Sequence, residues 1–319
     1  MPQKVLIDAD PGIGDAVAVS LAILDPDIDV VAITATPGCI AGKQSTRNIQ
    51  AIVETLDPPK WPRLGGASGP AVAGGVDYGV VGVGPSEVNG PSGLGDWEFR
   101  VAELHHPRDS VKLMTEMVRV YPNEITLLTL GPLTNVEIAC ERAPDFLGLL
   151  KGLVCLGGAV ESGGDVTAAA EFNICANPEA ARNVLRSPAT KTLVPLDVSN
   201  SVVLTFEQFD RLVTSPSSAL CRFFGELLPF AFRAHHQHLG LEGIPLREVV
   251  ALASIALPRV FQGRAMAIDV ETTGELTRGM TVFDRRRTQQ WQTNIDVLTE
   301  VDAQAVLDYF SRIVRLASA

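Results

Sequence analysis

Long apolar runs, paired cysteines and positive charge are all scarce in this chain of 319 residues. No apolar run reaches the roughly 18 residues that a membrane-spanning helix needs, so we expect no membrane association. The five cysteines form no CxxC pair and no zinc-binding spacing, which favours free thiols in a reducing, cytoplasmic location. The first residues lead directly into a predicted strand, so we expect no signal peptide.

The charge balance is acidic, with 26 Lys and Arg against 37 Asp and Glu and a net charge of −11. Such a surface repels phosphate backbones, so we expect no nucleic-acid partner. Hydrophobic residues make up 46% of the chain and charged residues 20%, which is typical of a globular protein and excludes disorder. An acidic pocket suits a metal ion or a neutral polyol.

Apolar runs of strand length alternate with helical patterns along the chain. This alternation predicts an α/β fold with a Rossmann-like, mostly parallel central sheet flanked by helices, in a single domain over residues 1–319. Residues 64–96 are rich in Gly and Pro and predict a long loop, either serving a site or forming a surface excursion. The predicted strands are 5–7, 30–34, 125–130, 153–156, 193–196, 267–272 and 290–297, and the predicted helices are 15–24, 43–56, 110–120, 132–140, 178–185 and 302–316.

Three carboxylates follow the first predicted strand, in the sequence DADPGIGD of residues 8–15. Open α/β sheets bind ligands at the carboxyl ends of their strands. Crowded carboxylate oxygens there favour Ca²⁺ or Mg²⁺. A helix N-terminus that attracts acidic residues explains Asp15 but leaves Asp8 and Asp10 unexplained.

The Asp8-Ala9-Asp10 segment alone also fits the nucleophile pair of a phosphatase of the haloacid-dehalogenase type. That family usually continues with Gly and Thr or Val and requires a later Lys and an acidic pair. Pro11 follows here, and no convincing later elements are present. A Mg²⁺-dependent phosphohydrolase is therefore the rival fold and reaction.

The segment from Asp8 to Ala16 resembles the N-terminal signature of nucleoside hydrolases of the inosine-uridine preferring type, usually D-T/C-D-P-G-x-D-D-A. Further blocks match in order, so the resemblance covers essentially the whole chain. They are LGPLTN at 130–135, GGA at 157–159, AEFN at 170–173, PEAA at 178–181, LDV at 196–198 and TRGMTV at 277–282.

The resemblance implies a mainly parallel sheet, a bound Ca²⁺ and a homodimer or homotetramer. It also implies that water cleaves the N-glycosidic bond of a ribonucleoside through an oxocarbenium-like transition state. By position, Asp10 is the expected base and a Ca²⁺ ligand, and Asp15 and the carbonyl of Leu130 are further ligands. Glu171 and Asn173 are expected to hold ribose hydroxyls, with an ordinary polar turn as the alternative.

Several departures from the family pattern fall at this expected site. Gly14 replaces an Asp that binds a ribose hydroxyl, which predicts weak binding of an unmodified ribonucleoside. Cys39 replaces the usual Asn, Asn89 a common His, and Asp165 another Asn. We expect these three to line the substrate site.

The largest departure is Leu246-Arg247-Glu248, where the family has Leu-His-Asp. Glu248 can still bind Ca²⁺, although it is one methylene longer. A guanidinium is a poor proton donor, so Arg247 can instead stabilise developing negative charge or bind an anion. Its alternative role is a structural pairing with Asp165 or another acid.

Histidines upstream of Arg247 offer a replacement leaving-group acid. His235 or His238 is the candidate, with a solvated helix end as the alternative. The pair at 105–106 precedes Pro107 and predicts a loop. The sequence thus favours a Ca²⁺-dependent N-riboside hydrolase over a non-catalytic nucleoside- or sugar-binding protein and over a phosphohydrolase.

Overall fold

The computed structural model describes residues 2–67, 84–102 and 107–318. The predicted loop 64–96 lies partly outside these residues, and the histidines at 105–106 lie wholly outside them. Within the described chain, no helix combines the length and the apolar character needed to cross a bilayer.

The elements alternate between strands and helices, as the sequence predicts. The strands are β1 Gln3–Ala9, β2 Ile28–Ala35, β3 Arg63–Gly65, β4 Thr126–Thr129, β5 Gly152–Leu156, β6 Lys191–Val194, β7 Val203–Thr205, β8 Gly243–Pro245, β9 Phe261–Met266, β10 Ile268–Val270, β11 Thr281–Phe283 and β12 Ile295–Val301. The helices are α1 Ile13–Leu24, α2 Gly42–Leu56, α3 Pro85–Asn89, α4 Ser110–Val120, α5 Thr134–Arg142, α6 Phe172–Ala176, α7 Pro178–Arg186, α8 Leu196–Ser199, α9 Phe206–Leu212, α10 Ala219–Ala234, α11 Arg247–Ala256 and α12 Ala303–Leu316. One π-helical turn, His235–Leu239, directly follows α10.

The described strands form one large sheet in the order β3-β2-β1-β4-β5-β6-β12-β9. All neighbours in it are parallel except β9, which runs antiparallel to β12. The predicted mostly parallel central sheet is confirmed. Two small antiparallel pairs, β7 with β8 and β10 with β11, lie apart from it.

Helices cover both faces of this sheet, which explains why its strands read as continuous apolar runs. Successive residues of β1 point to opposite faces. Val5 and Ile7 pack in one apolar core with α1, α10, α11 and α12. Leu6 packs in the other core, with α4, α5 and α7.

The order of the strands reverses next to β1. The strands β2 and β3 lie on one side of β1, whereas β4, β5 and β6 lie on the other. The carboxyl ends of β1 and β4 therefore border the crevice in which open α/β sheets bind ligands. Asp8 and Leu130 lie at this edge, where the Leu130 amide donates to the Asp8 carbonyl at 2.9 Å.

The prediction of a strand over 290–297 is wrong in its first half, since β12 begins only at Ile295. Residues 290–294 form a loop that is bound to neighbouring residues by side chains. Asn294 accepts from the Ile268 amide at 2.9 Å and donates to the Ile268 carbonyl at 3.0 Å. These two bonds replace the ladder that a longer strand would have made.

Candidate active site

A pocket opens at the carboxyl edge of β1 and β4, beside the first turns of α1 and α11. Each residue that the sequence assigned to the site lines this pocket, except that His238 is exposed outside it. The lining residues from that set are Asp10, Asp15, Cys39, Asn89, Leu130, Asp165, Glu171, Asn173, His235, Arg247 and Glu248.

Three carboxylates converge on the floor of the pocket. Asp10 and Asp15 are buried, and Glu248 is half-buried. Burial raises the pKa of Asp10 to about 7, and it raises the pKa of Asp15 and Glu248 as well. Mutual repulsion adds to the shift for Asp10 and Asp15, so the cluster holds its negative charge only at a cost.

The two carboxylate oxygens of Asp15 differ in their hydrogen bonding. Its Oδ2 accepts from the Gly12 amide at 3.1 Å, as an acid in the first turn of a helix commonly does. Its Oδ1 is buried and has no hydrogen-bond partner among the described residues. A buried unpaired carboxylate oxygen is costly, so this atom points to a missing cation or donor.

Cys39 holds Asp10 in place. Its amide donates to Asp10 Oδ2 at 2.6 Å, and its thiol donates to the Asp10 carbonyl at 2.8 Å. Burial and the negative charge of Asp10 raise the pKa of the thiol well above its usual value, so the thiol stays protonated. Cys39 therefore contacts the expected base directly.

Asp8 lies behind the pocket and has a structural environment. Its Oδ1 accepts from Thr34 Oγ1 at 2.6 Å and from Asn135 Nδ2 at 2.9 Å. Asn135 also donates to the Ala35 carbonyl at 2.8 Å, which ties α5 to β1 and β2. The LGPLTN block thus contributes Asn135 as an organising residue, a role that the sequence did not reveal.

Glu171 and Asn173 are occupied by backbone groups. The Glu171 carboxylate accepts from the amides of Gly158, Asn173 and Ile174 at 2.9, 3.0 and 3.1 Å, so it caps α6. Asn173 Nδ2 donates to the Leu130 carbonyl at 2.7 Å and to the Leu156 carbonyl at 3.1 Å. Carbonyl and carboxylate oxygens have further lone pairs, so these contacts still leave room for a ligand.

Arg247 begins α11 and is held on two sides. Its Nη1 donates to Asp165 Oδ2 at 2.5 Å, and its Nε donates to Asn200 Oδ1 at 2.6 Å. Asp165 Oδ1 also accepts from the Phe172 amide at 2.9 Å. The sequence considered the pairing with Asp165, but it did not reveal Asn200, which lies 47 residues away along the chain.

The two remaining predicted side chains also have hydrogen-bond partners close to the pocket. Asn89 Oδ1 accepts from the Ile13 amide at 2.9 Å and so caps α1 from outside. His235 Nδ1 lies 2.8 Å from the Ala231 carbonyl, which fixes this nitrogen as the donor. Burial lowers the pKa of His235, and the charge of Arg247 lowers it further, so a neutral ring is favoured at pH 7.

The chain has extensive similarity to known nucleoside hydrolases. The family model for inosine-uridine preferring nucleoside hydrolase matches residues 5–308. The chain is 30% identical to the inosine-uridine preferring nucleoside hydrolase of Crithidia fasciculata over 98% of this chain and 99% of that protein. It is 32% identical to the pyrimidine-specific ribonucleoside hydrolase RihA of Salmonella newport, with 97% of each chain covered.

Solved structures give the same result. A plant nucleoside hydrolase superposes with a TM-score of 0.86 at 26% identity, over 98% of this chain and 99% of that one. A purine-preferring ribonucleoside hydrolase from Gardnerella vaginalis also has a TM-score of 0.86 at 26% identity, over 99% of both chains. These matches remove the phosphatase interpretation of Asp8 and Asp10. The chain belongs to the inosine-uridine preferring nucleoside hydrolase family, and it is a hydrolase that acts on N-glycosyl bonds.

Proposed function

We propose that this hydrolase uses Ca²⁺ to cleave a ribonucleoside or a related N-riboside into free base and ribose. The observation that carries the proposal is the convergence of Asp10, Asp15 and Glu248 at the reversal of strand order, where Asp15 Oδ1 has no partner within the described part of the chain. An all-oxygen, strongly acidic donor set matches a hard divalent cation rather than a transition metal.

The donors present fit Ca²⁺ if the backbone and the ligand share the coordination. Among the described residues, no three His, Cys, Asp or Glu side chains enclose an ion unaided. Ca²⁺ takes six to eight oxygens, including carbonyls, and the Leu130 carbonyl borders the same pocket. We therefore assign Asp10, Asp15, Glu248 and the Leu130 carbonyl as the residues that would hold the ion.

Asp10 is the proposed general base. When bound, the ion supplies the charge that acidifies a nearby water. The Cys39 amide holds Oδ2 of the Asp10 carboxylate, and the Cys39 thiol holds the Asp10 backbone carbonyl, so the carboxylate can accept the proton of the attacking water without reorganising.

Arg247 is the proposed leaving-group residue. A guanidinium has five N–H donors, and Asp165 and Asn200 each take one. The remaining donors are available to a base that leaves with negative charge. His235 favours the neutral ring with its Nδ1–H bound to Ala231, so its Nε2 is an acceptor and must first take up a proton if His235 is to act as the predicted acid.

The names of the relatives span both base classes, since RihA is pyrimidine-specific and the Gardnerella enzyme is purine-preferring. We therefore propose the sugar, and not one base, as the recognised element. Asp165, Glu171, Asn173, Asn89 and Cys39 are the proposed pocket contacts. A cytoplasmic homodimer or homotetramer that binds no nucleic acid completes the proposal; the lack of paired cysteine spacings supports the location, and the net charge of −11 supports the absence of a nucleic-acid partner.

Release of reducing sugar from a panel of ribonucleosides, 2′-deoxyribonucleosides and a nicotinamide riboside tests the function. We expect release that a chelator abolishes and that Ca²⁺ restores better than Mg²⁺. Asp10→Asn should abolish it, whereas the exposed control Asp210→Asn should not. Release that is indifferent to the chelator, or that survives Asp10→Asn, would overturn the assignment.

A further inference from the structure

Gly14 and Glu248 occupy one shared volume between α1 and α11. A Cβ atom placed on Gly14 would lie 2.1 Å from Glu248 Oε2, 2.4 Å from Cδ and 2.6 Å from Oε1. Real Cβ atoms do not approach other atoms closer than 3.0 Å. The Glu248 carboxylate therefore fills the space that any side chain at position 14 would need.

The backbone gives no reason for glycine at this position. Gly14 lies within α1 and is not among the residues with positive φ. Glycine weakens a helix relative to alanine, so it is unfavourable here unless space demands it. Since the nearest atoms all belong to Glu248, that side chain is what demands the space.

Both residues line the pocket, and both depart from the family pattern, in which the sequence led us to expect Asp at each position. The contact between them links the two departures. The pair keeps one carboxylate where the expected pattern has two, and this longer side chain of α11 fills the space that an α1 side chain would take.

We propose that Gly14 and Glu248 form one functional unit, in which the Glu248 carboxylate crosses the glycine and accepts the hydroxyls of the substrate's sugar. This inference rests on the proposed function, because it concerns the same pocket. It reverses the expectation of weak ribonucleoside binding, which assumed that the carboxylate was lost. The substrate class becomes N-ribosides with free ring hydroxyls, in preference to their deoxy analogues.

The carboxylate is suited to this task. An ionised carboxylate only accepts hydrogen bonds, and its two oxygens offer about four lone-pair sites, so Glu248 can receive the hydroxyls of a cis-diol and still be a ligand of the proposed ion. Hydrogen bonds to charged groups are the stronger class, so their loss is measurable. Displacing the carboxylate should therefore affect ribonucleosides far more than deoxynucleosides.

A double-mutant cycle tests the unit. Gly14→Ala forces the flexible end of Glu248 aside, and we expect kcat/KM for a ribonucleoside to fall by about 10- to 100-fold while the protein stays folded. Glu248→Asp shortens the side chain and empties the shared volume. In that background, Gly14→Ala should therefore lower kcat/KM less than about threefold. Gly14→Asp with Glu248→Asp should recover activity relative to Glu248→Asp alone.

Gly225→Ala is the matched control, since Gly225 lies in α10 and no atom of the described residues beyond its own helix turn comes within 4 Å of its Cβ position. It should change only thermal stability. Equal cost of Gly14→Ala in both backgrounds, or equal losses for ribo- and deoxynucleosides, would refute the unit. A wild type without any nucleosidase activity would refute the proposed function instead. In that case the change in Tm produced by D-ribose can be measured for the same four variants of the double-mutant cycle. Additive effects of the two substitutions on this change would overturn the inference.

Discussion

Replacement of Arg247 by Gln should selectively slow substrates whose base must leave with negative charge. The guanidinium is held by Asp165 and Asn200 at 2.5 and 2.6 Å, so it is preorganised rather than mobile. Preorganised charge near a developing anion is an effective form of catalysis. Gln keeps some of the side chain's length and hydrogen bonding, but it removes the charge.

The size of the effect follows from the exposure of the pair. A hydrogen bond to a charged group contributes about 1.5–3 kcal/mol, or about 10- to 150-fold in rate. The Arg247 side chain is 28% exposed and its partner Asp165 is 22% exposed, so solvent and the counter-charge weaken the interaction. We therefore expect the lower part of the range, about 10- to 50-fold in kcat.

The assay compares leaving groups. Uridine and inosine should lose the full factor in Arg247→Gln, whereas p-nitrophenyl riboside should lose less than about threefold, because nitrophenolate stabilises its own charge. Arg287→Gln, at an exposed position outside the pocket, matches the change in net charge. Equal losses on all three substrates would show that Arg247 acts on binding or structure and would refute its leaving-group role.

Three further outcomes are expected. Burial raises the pKa of Asp8 and Asp10 to about 7 and of Glu171 to about 8, so the folded metal-free protein binds more protons than the unfolded chain above pH 4. The Tm of the protein in chelator should fall as the pH rises from 5 to 8, and the decrease should be smaller when Ca²⁺ is bound. A Tm that rises with pH would contradict the burial of these acids. Cys39→Val removes the thiol donor to the Asp10 carbonyl and should lower kcat about tenfold with KM little changed. Cys39→Ser keeps a donor and should retain most activity. Equal activity of the two variants would disprove the positioning role of Cys39. The Asp197 carboxylate accepts from the amides of Val160, Glu161 and Ser162. Asp197→Ala should therefore lower Tm by about 3–8 °C and reduce activity, because it frees the loop that carries Asp165. An unchanged melting curve would show that the loop keeps its conformation without Asp197.

The sheet and the grouping of the site were predictable because both follow from patterns that are local in sequence. Apolar runs alternating with helical segments predict parallel strands, and the carboxyl ends of such strands share one edge. Asp10 and Leu130 each follow one of these strands, so their meeting at the pocket required no knowledge of packing.

The contacts that decide the roles of individual residues were not predictable, since they depend on how distant segments dock. Asn200 reaches Arg247 only because α8 packs against α11. Asn89 caps α1 across 76 residues of chain, and Cys39 reaches Asp10 across 29. No periodicity or spacing encodes such pairs.

The shared volume of Gly14 and Glu248 also bears on how relatives of this chain are recognised. A comparison made one column at a time counts two lost aspartates and suggests a decayed enzyme. Viewed as a pair, the columns record one longer carboxylate that fills the space of the acid missing from the neighbouring helix. Chains with glycine in the first column should therefore carry glutamate in the second, and this covariation would mark a separate branch of functional enzymes.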